Sequence, residues 1–298
     1  MQLGLFSVSY AGYWGQERLS LEDFIRRAAG LGFDCVMLAG KRPHLAPVDM
    51  TEERLEILQK VLQEANIRCA VVAAYTDLCL PAPSEAPHLE WQIDYVSQLG
   101  RWGARLGAKH VRVFTGYSGG PLPPQAQWVQ VVRSLQEMAD RLAEHQMTLA
   151  VQNHHDVAVH TDALLELLSD VDRPNCKLAF DAWSPFLRGE PLYEAARKAA
   201  PHTVITTNAD YIRLPRFAYD PAVVNYRRIE PDFVRAVRFG QGEIPFEEFF
   251  HGLRDGGFDG VASYEMCSPL RGGGSLQNLD AYARTYLQWM RNHVLSGA

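Results

Sequence analysis

The feature that most constrains this chain is a cycle. Short apolar runs of strand type alternate with longer stretches of helical period, eight times between Leu3 and Val294. The strand candidates span 3–8, 35–39, 69–75, 110–115, 148–152, 176–181, 204–208 and 260–265, and each is rich in Val, Ile, Cys or Phe. The intervening segments are amphipathic. Leu21, Phe24, Ile25 and Ala28 follow a Ser20 cap, Leu55, Leu58, Val61 and Leu62 follow Thr51, and Val131, Val132, Leu135, Met138 and Leu142 mark a third buried helical face. Near-continuous apolar strands joined by helical crossovers require a parallel sheet covered on both faces. Eight such units predict a closed (β/α)8 TIM barrel, an α/β fold. A doubly wound open sheet is the alternative, but the first strand-to-helix turn, 8–16, holds Gly12 and Gly15 without a G-x-G-x-x-G. No Ser/Gly linker divides the chain, so 1–298 is expected to form one domain with a long irregular insertion at about 210–242 after the seventh strand.

Charge and composition narrow the partners. A net charge of −6, from 29 Lys+Arg against 35 Asp+Glu, works against a sequence-blind grip on a phosphate backbone, so no nucleic-acid partner is expected. The longest apolar runs fall far short of the roughly 20 residues that cross a bilayer, and no export signal is visible, so neither membrane nor secretion is expected. Five widely spaced cysteines without a C-x-x-C pair read as reduced thiols of a cytoplasmic protein.

Barrels of this kind place chemistry at the C-terminal ends of their strands, so polar residues closing an apolar run carry information. The fifth strand ends in Gln152, Asn153, His154, His155 and Asp156, and the sixth in Asp181, Trp183 and Ser184. Thr206, Thr207, Asn208 and Asp210 close the seventh, and Tyr264, Glu265, Met266 and Cys267 the eighth. Oxygen and imidazole groups converging from neighbouring strands suit a divalent cation that polarises a sugar carbonyl or hydroxyl pair.

With the eightfold pattern, Asp181, Glu265 and the stretches 239–246 and 256–260, the chain resembles the xylose isomerase-like TIM-barrel superfamily over almost its whole length. The resemblance implies a sugar isomerase or epimerase, or a related lyase, that binds Mn, Co, Mg or Zn through Glu, Asp, His and Glu of its last four strands. Asp181 and Glu265 match two of those positions. Gln152 stands where the first Glu is expected, and Thr207 and Asn208 stand where the His would be. An amide has no ionisation in the working pH range, so a two-carboxylate proton relay loses one member. The expected metal set is therefore Gln152, Asp181, Asp210 and Glu265, with Asp210 replacing the His. Glu265 and His154 are the expected proton carriers, the imidazole for its near-neutral pKa.

Loops complete the expected site. Lys41, Arg42 and His44 follow the second strand on a chain stiffened by Pro43, and Arg271 precedes three glycines and a helix start that could hold an anion. His155 and Trp183 join them as substrate-binding residues. Tyr10, Tyr13, Trp14, Tyr75 and Tyr117 follow strands one, three and four and would stack on the C–H faces of a carbohydrate. The insertion, with Arg213, Arg216, Tyr219, Tyr226, Arg227 and Arg228, is expected to close over substrate or to contact a second subunit. Tyr286 and Trp289 are candidates for contacts in a homo-oligomer. Function divides three ways: a metal-dependent epimerase of a small carbohydrate, a lyase or dehydratase of an oxidised sugar or inosose, and a non-catalytic sugar-binding barrel.

Overall fold

The computed structural model describes residues 1–81, 84–117 and 122–295. Eight parallel strands close into a barrel: β1 (Gln2–Phe6), β2 (Cys35–Ala39), β3 (Arg68–Ala73), β4 (His110–Val113), β5 (Thr148–Gln152), β6 (Cys176–Ala179), β7 (Thr203–Asn208) and β10 (Val261–Tyr264). Neighbours follow chain order around the wall, and β10 closes against β1 with Gln2 opposite Val261. The helices α1 (Leu21–Leu31), α2 (Glu52–Glu64), α3 (His88–Arg105), α4 (Pro124–Ala143), α5 (Thr161–Val171), α6 (Trp183–Leu187), α7 (Leu192–Ala199) and α8 (Phe246–Asp255) lie between the strands in sequence, and α9 (Leu276–Met290) follows the last strand.

Local chemistry accounts for the helix starts. Ser20 accepts the Asp23 amide at 3.1 Å and Thr51 that of Arg54 at 3.1 Å, so both expected caps fill orphan donors. The apolar stripes of α1, α2 and α4 pack on the outer strand faces, where Phe24, Ile25, Leu58, Leu135 and Met138 are fully buried. A second apolar cluster fills the barrel axis with Phe6, Cys35, Met37, Val71, Ala150, Ala179, Ile205 and Val261. Alternate residues of a strand share a face. Continuing from Ala150, Ala179 and Ile205, that period turns Gln152, Asp181 and Thr207 toward the axis at the barrel's C-terminal mouth.

The insertion differs from the irregular segment that was expected. It is an antiparallel hairpin of β8 (Asp210–Asp220) and β9 (Asn225–Val237), with Tyr219 opposite Tyr226 and Asp210 opposite Val237. Alternating β-branched and aromatic residues with arginines suit a mostly solvent-facing ribbon, whose many charges read as an irregular insertion in the sequence. The apolar runs also overshoot several strands, because the ladder ends while the chain keeps its alternation. The residues past the end, such as Tyr75, Asp181 and Glu265, project into the mouth. All five cysteines are unpaired. Among the described residues no helix is long and apolar enough to cross a membrane.

Candidate active site

The C-terminal mouth holds a cavity of about 540 Å³ whose walls include Phe6, Trp14, Lys41, Tyr75, Arg112, Phe114, Gln152, His154, His155, Asp181, Trp183, Thr207, Tyr211, Glu265 and Cys267. Strands β5, β6, β7 and β10 supply one half. Gln152 Nε2 donates to Asp181 Oδ2 at 2.8 Å, and the Ser184 amide donates to Asp181 Oδ1 at 3.5 Å. Asn153 locks the same corner from behind: its Nδ2 donates to the Asp181 carbonyl at 3.0 Å, and its Oδ1 accepts the Asp181 amide at 2.8 Å. Asp181 thus stays fixed in the cavity wall while it also caps the start of α6. Burial pushes its carboxyl up to about 6, against the pull of the Gln152 hydrogen bond.

Glu265 lies across from it, just past the end of β10. Burial pushes its carboxyl up to about 7, opposed by the positive charge of Arg112 and assisted by Asp181. Cys267 Sγ lies 3.5 Å from Glu265 Oε1 and 2.9 Å from the Tyr211 hydroxyl. Burial, together with Glu265, pushes the thiol well above its ordinary range, so it serves as a neutral hydrogen-bonding group rather than a thiolate. His154 packs against Phe114 and His155, with ring centroids 5.5 and 4.4 Å away. Burial lowers both imidazoles to about 4, assisted by Arg112 at His154 and by His154 and then Arg112 at His155. This corrects the near-neutral pKa expected of His154: at pH 7 it is a neutral ring offering one N–H donor.

The opposite half is basic and aromatic. Lys41 Nζ sits 3.6 Å from the Tyr75 ring centroid and 4.9 Å from that of Tyr13. Arg112 points inward from the middle of β4, only 2% exposed, with its guanidinium 4.1 Å from the Phe114 ring centroid and 5.0 Å from that of Tyr75. Sequence reasoning missed Arg112. The signal was available: a cation at an inward position of an otherwise apolar barrel strand, His110-Val-Arg-Val-Phe114.

Several expected site residues are placed elsewhere. Asp210 turns its carboxylate into the base of the hairpin, where Oδ2 accepts the amides of Gly240 at 2.9 Å and Gly242 at 2.8 Å and Oδ1 accepts that of Tyr211 at 3.0 Å. It does not replace the missing His. His44 is buried under the β2 loop, stacked on Phe24 at 6.1 Å with Nε2 3.4 Å from the Leu19 carbonyl. Arg42 forms a two-pronged ion pair with Asp49, at 2.6 and 2.5 Å, outside the cavity. Arg271 is exposed and also off the cavity wall, and its glycine run is tied down by Asn278 Nδ2, which donates to the carbonyls of Arg271 and Gly273 at 3.1 and 2.7 Å. Tyr10 is fully buried with its hydroxyl on Asp280 at 3.0 Å. Tyr286 is buried within its own chain, and Trp289 packs 4.9 Å from Phe239. Of the hairpin, Tyr211 and Val234 at its base reach the cavity, whereas Arg213 is paired with Glu243.

The donor set does not fit the metal shell that the resemblance implies. Two carboxylates remain, Gln152 spends its amide N–H on Asp181, and Thr207 offers a neutral hydroxyl where an imidazole is needed. Among the described residues no three His, Cys, Asp or Glu side chains are arranged to hold an ion. The Arg112 guanidinium already places a fixed positive charge on the same cavity.

Barrel and mouth together define a (β/α)8 protein with a small-molecule cavity at the catalytic end of its strands. The chain belongs to the xylose isomerase-like TIM-barrel family, which matches residues 25–293. It is 22% identical over 266 residues to a 3-dehydroshikimate dehydratase of Bacillus anthracis, covering 86% of this chain and 88% of that one. It is 19% identical over 277 residues to a fructoselysine 3-epimerase of Escherichia coli O157:H7, covering 89% and 90%. The solved structure of the IolI protein with a bound zinc atom superposes with a TM-score of 0.75 at 17% identity, over 98% of this chain and 99% of that one. Relatives of this chain are therefore enzymes that rearrange or dehydrate small molecules, and the superfamily includes metal-binding members.

Proposed function

We propose that the cavity is the active site of an enzyme that removes a proton next to a carbonyl of a small polyhydroxylated ketone and eliminates water from it. The observation that carries this is a buried carboxyl held near neutrality, Glu265, sharing one aromatic-walled cavity with a neutral imidazole, His154. A base works best when its pKa lies near the operating pH. Glu265 takes the α-proton, and the electron pair moves to the carbonyl oxygen, which accepts the His154 N–H. The carbonyl re-forms as the β C–O bond breaks, and the leaving hydroxide recovers the proton from Glu265 to depart as water. One carboxyl acts as base and then acid, so the chemistry needs no carboxylate at position 152. A neutral imidazole is the appropriate donor to a developing enolate, because it polarises the oxygen without giving up its proton. Trp14 and Trp183 line the same cavity and supply aromatic surface for the substrate's C–H groups.

Epimerisation is the second reading, favoured by Asp181, a second buried carboxyl pushed up to about 6 on the same cavity. Incubating ketoses, keto-glycosides and inososes with the protein in deuterated water separates the two. Elimination yields an enone absorbance, whereas epimerisation returns substrate carrying deuterium and no enone. Glu265→Gln should lower kcat by about 10²- to 10⁴-fold with the fold retained. An unchanged kcat removes Glu265 from the mechanism, and ligand-induced stabilisation without turnover of any ketone supports a binding protein instead.

A further inference from the structure

We propose that the molecule bound here carries a carboxylate, held by Lys41 and Arg112 on the β2–β4 side of the cavity, across from the acidic half. The proposal rests on the cavity being the substrate site and adds the class of substrate. Strand order separates the charges: Lys41 follows β2 and Arg112 lies on β4, whereas Asp181 and Glu265 follow β6 and β10. Among the described residues neither cation has a carboxylate oxygen within 4.0 Å.

Burying an unpaired guanidinium is costly, and the fold only partly offsets that cost. Arg112 makes one hydrogen bond, from Nη1 to the Ala74 carbonyl at 3.0 Å, and Nε has no partner. The neighbouring Tyr75 hydroxyl, also buried, has no partner but this guanidinium. The rings of Phe6, Tyr75 and Phe114 at 5.6, 5.0 and 4.1 Å supply cation–π attraction but fill no N–H. A guanidinium with free donors beside an ammonium and a buried phenol makes an anion receptor, and the planar fork matches the two oxygens of a carboxylate. The aromatic walls favour a monoanion over a phosphate dianion, whose desolvation is the more expensive.

The test is calorimetric binding to glucuronate and glucose, which differ in one group, to quinate and myo-inositol as an acidic and a neutral cyclohexane polyol, and to glucose 6-phosphate as the phosphate arm. Wild type should bind at least one acid about tenfold or more tightly than its neutral partner. Lys41→Gln and Arg112→Gln should each shrink that ratio, and the double variant should bring it to near one. Lys41 is half-buried and its substitution leaves the barrel wall intact, so the test survives if Arg112→Gln fails to fold. Neutral partners bound as tightly as the acids, a preference that outlasts Lys41→Gln, phosphate preferred over carboxylate, or no saturable binding of either acid would each overturn the proposal. Turnover plays no part in the measurement. A Glu265→Gln variant that kept its activity would sink the elimination mechanism and leave the carboxylate preference standing.

Discussion

Glu265 should make the protein less stable at the pH where it works. Burial raises its pKa from the ordinary 4.5 to about 7, so the folded chain holds this proton more tightly than the unfolded one. Below pH 4.5 both states are protonated and the buried carboxyl costs little. Between 4.5 and 7 the unfolded chain releases its proton first, and stability falls as pH rises. Above 7 the full cost is present, about 3 kcal/mol at roughly 1.4 kcal/mol per pH unit of displacement. Glu265→Gln keeps the shape and removes the ionisation. Its thermal midpoint should exceed that of wild type by little at pH 5 and by about 5 °C more at pH 8.5, given about 2 °C per kcal/mol for a chain of this size. Scanning calorimetry of both proteins at the two pH values reads the difference. An equal gain at both, or a loss at pH 8.5, would refute the burial argument, because it would mean that Arg112 already compensates the ionised carboxylate.

Other perturbations probe the supports of the site. Dialysis against a chelator should leave the melting temperature and kcat/KM unchanged, and Mn or Co should not raise the wild-type midpoint. A metal-dependent midpoint would show that Asp181, Glu265 and the Gln152 carbonyl hold an ion after all. Asn153→Ala strips the partners from the Asp181 amide and carbonyl and should cost about 1–3 kcal/mol in urea unfolding, with a larger loss in kcat than in binding. Gly242→Ala would place a Cβ 1.9 Å from Asp210 Oδ1, so the hairpin base should loosen and limited proteolysis should cut within 210–237 first.

The barrel was legible because eight apolar runs and their amphipathic partners leave one economical way to bury both faces of a parallel sheet. Asp181 and Glu265 were legible for a related reason: a carboxylate closing an apolar strand has few uses except at the mouth. Asp210 looked the same in sequence, yet its two-residue offset from Asn208 and the glycines at 240 and 242 turn it toward backbone amides. Nothing local distinguishes the two cases, because its partners lie about 30 residues away. His44 and Arg42 failed similarly: one is drawn under a loop by Phe24, and the other is satisfied by Asp49. Arg112 carried a signal too, as a single cation inside an otherwise apolar barrel strand, but it lies within β4 and not at the strand-closing positions that mark the mouth.

The charge division across the cavity has a kinetic consequence. In the free protein Arg112 pulls the Glu265 carboxyl down against its burial and leaves it at about 7. A carboxylate seated on Lys41 and Arg112 would cancel that pull and add its own negative field, so Glu265 should hold its proton more tightly in the complex than in the free enzyme. The rising limb of kcat against pH should therefore lie at higher pH than the limb of kcat/KM, which reports the free enzyme near 7. Arg112→Gln removes the pull in both states and should narrow the gap between the two limbs, leaving only the anion's own field, while moving the kcat/KM limb upward. Limbs that coincide in the wild type, or a kcat limb displaced to lower pH, would show that the bound anion does not reach Arg112.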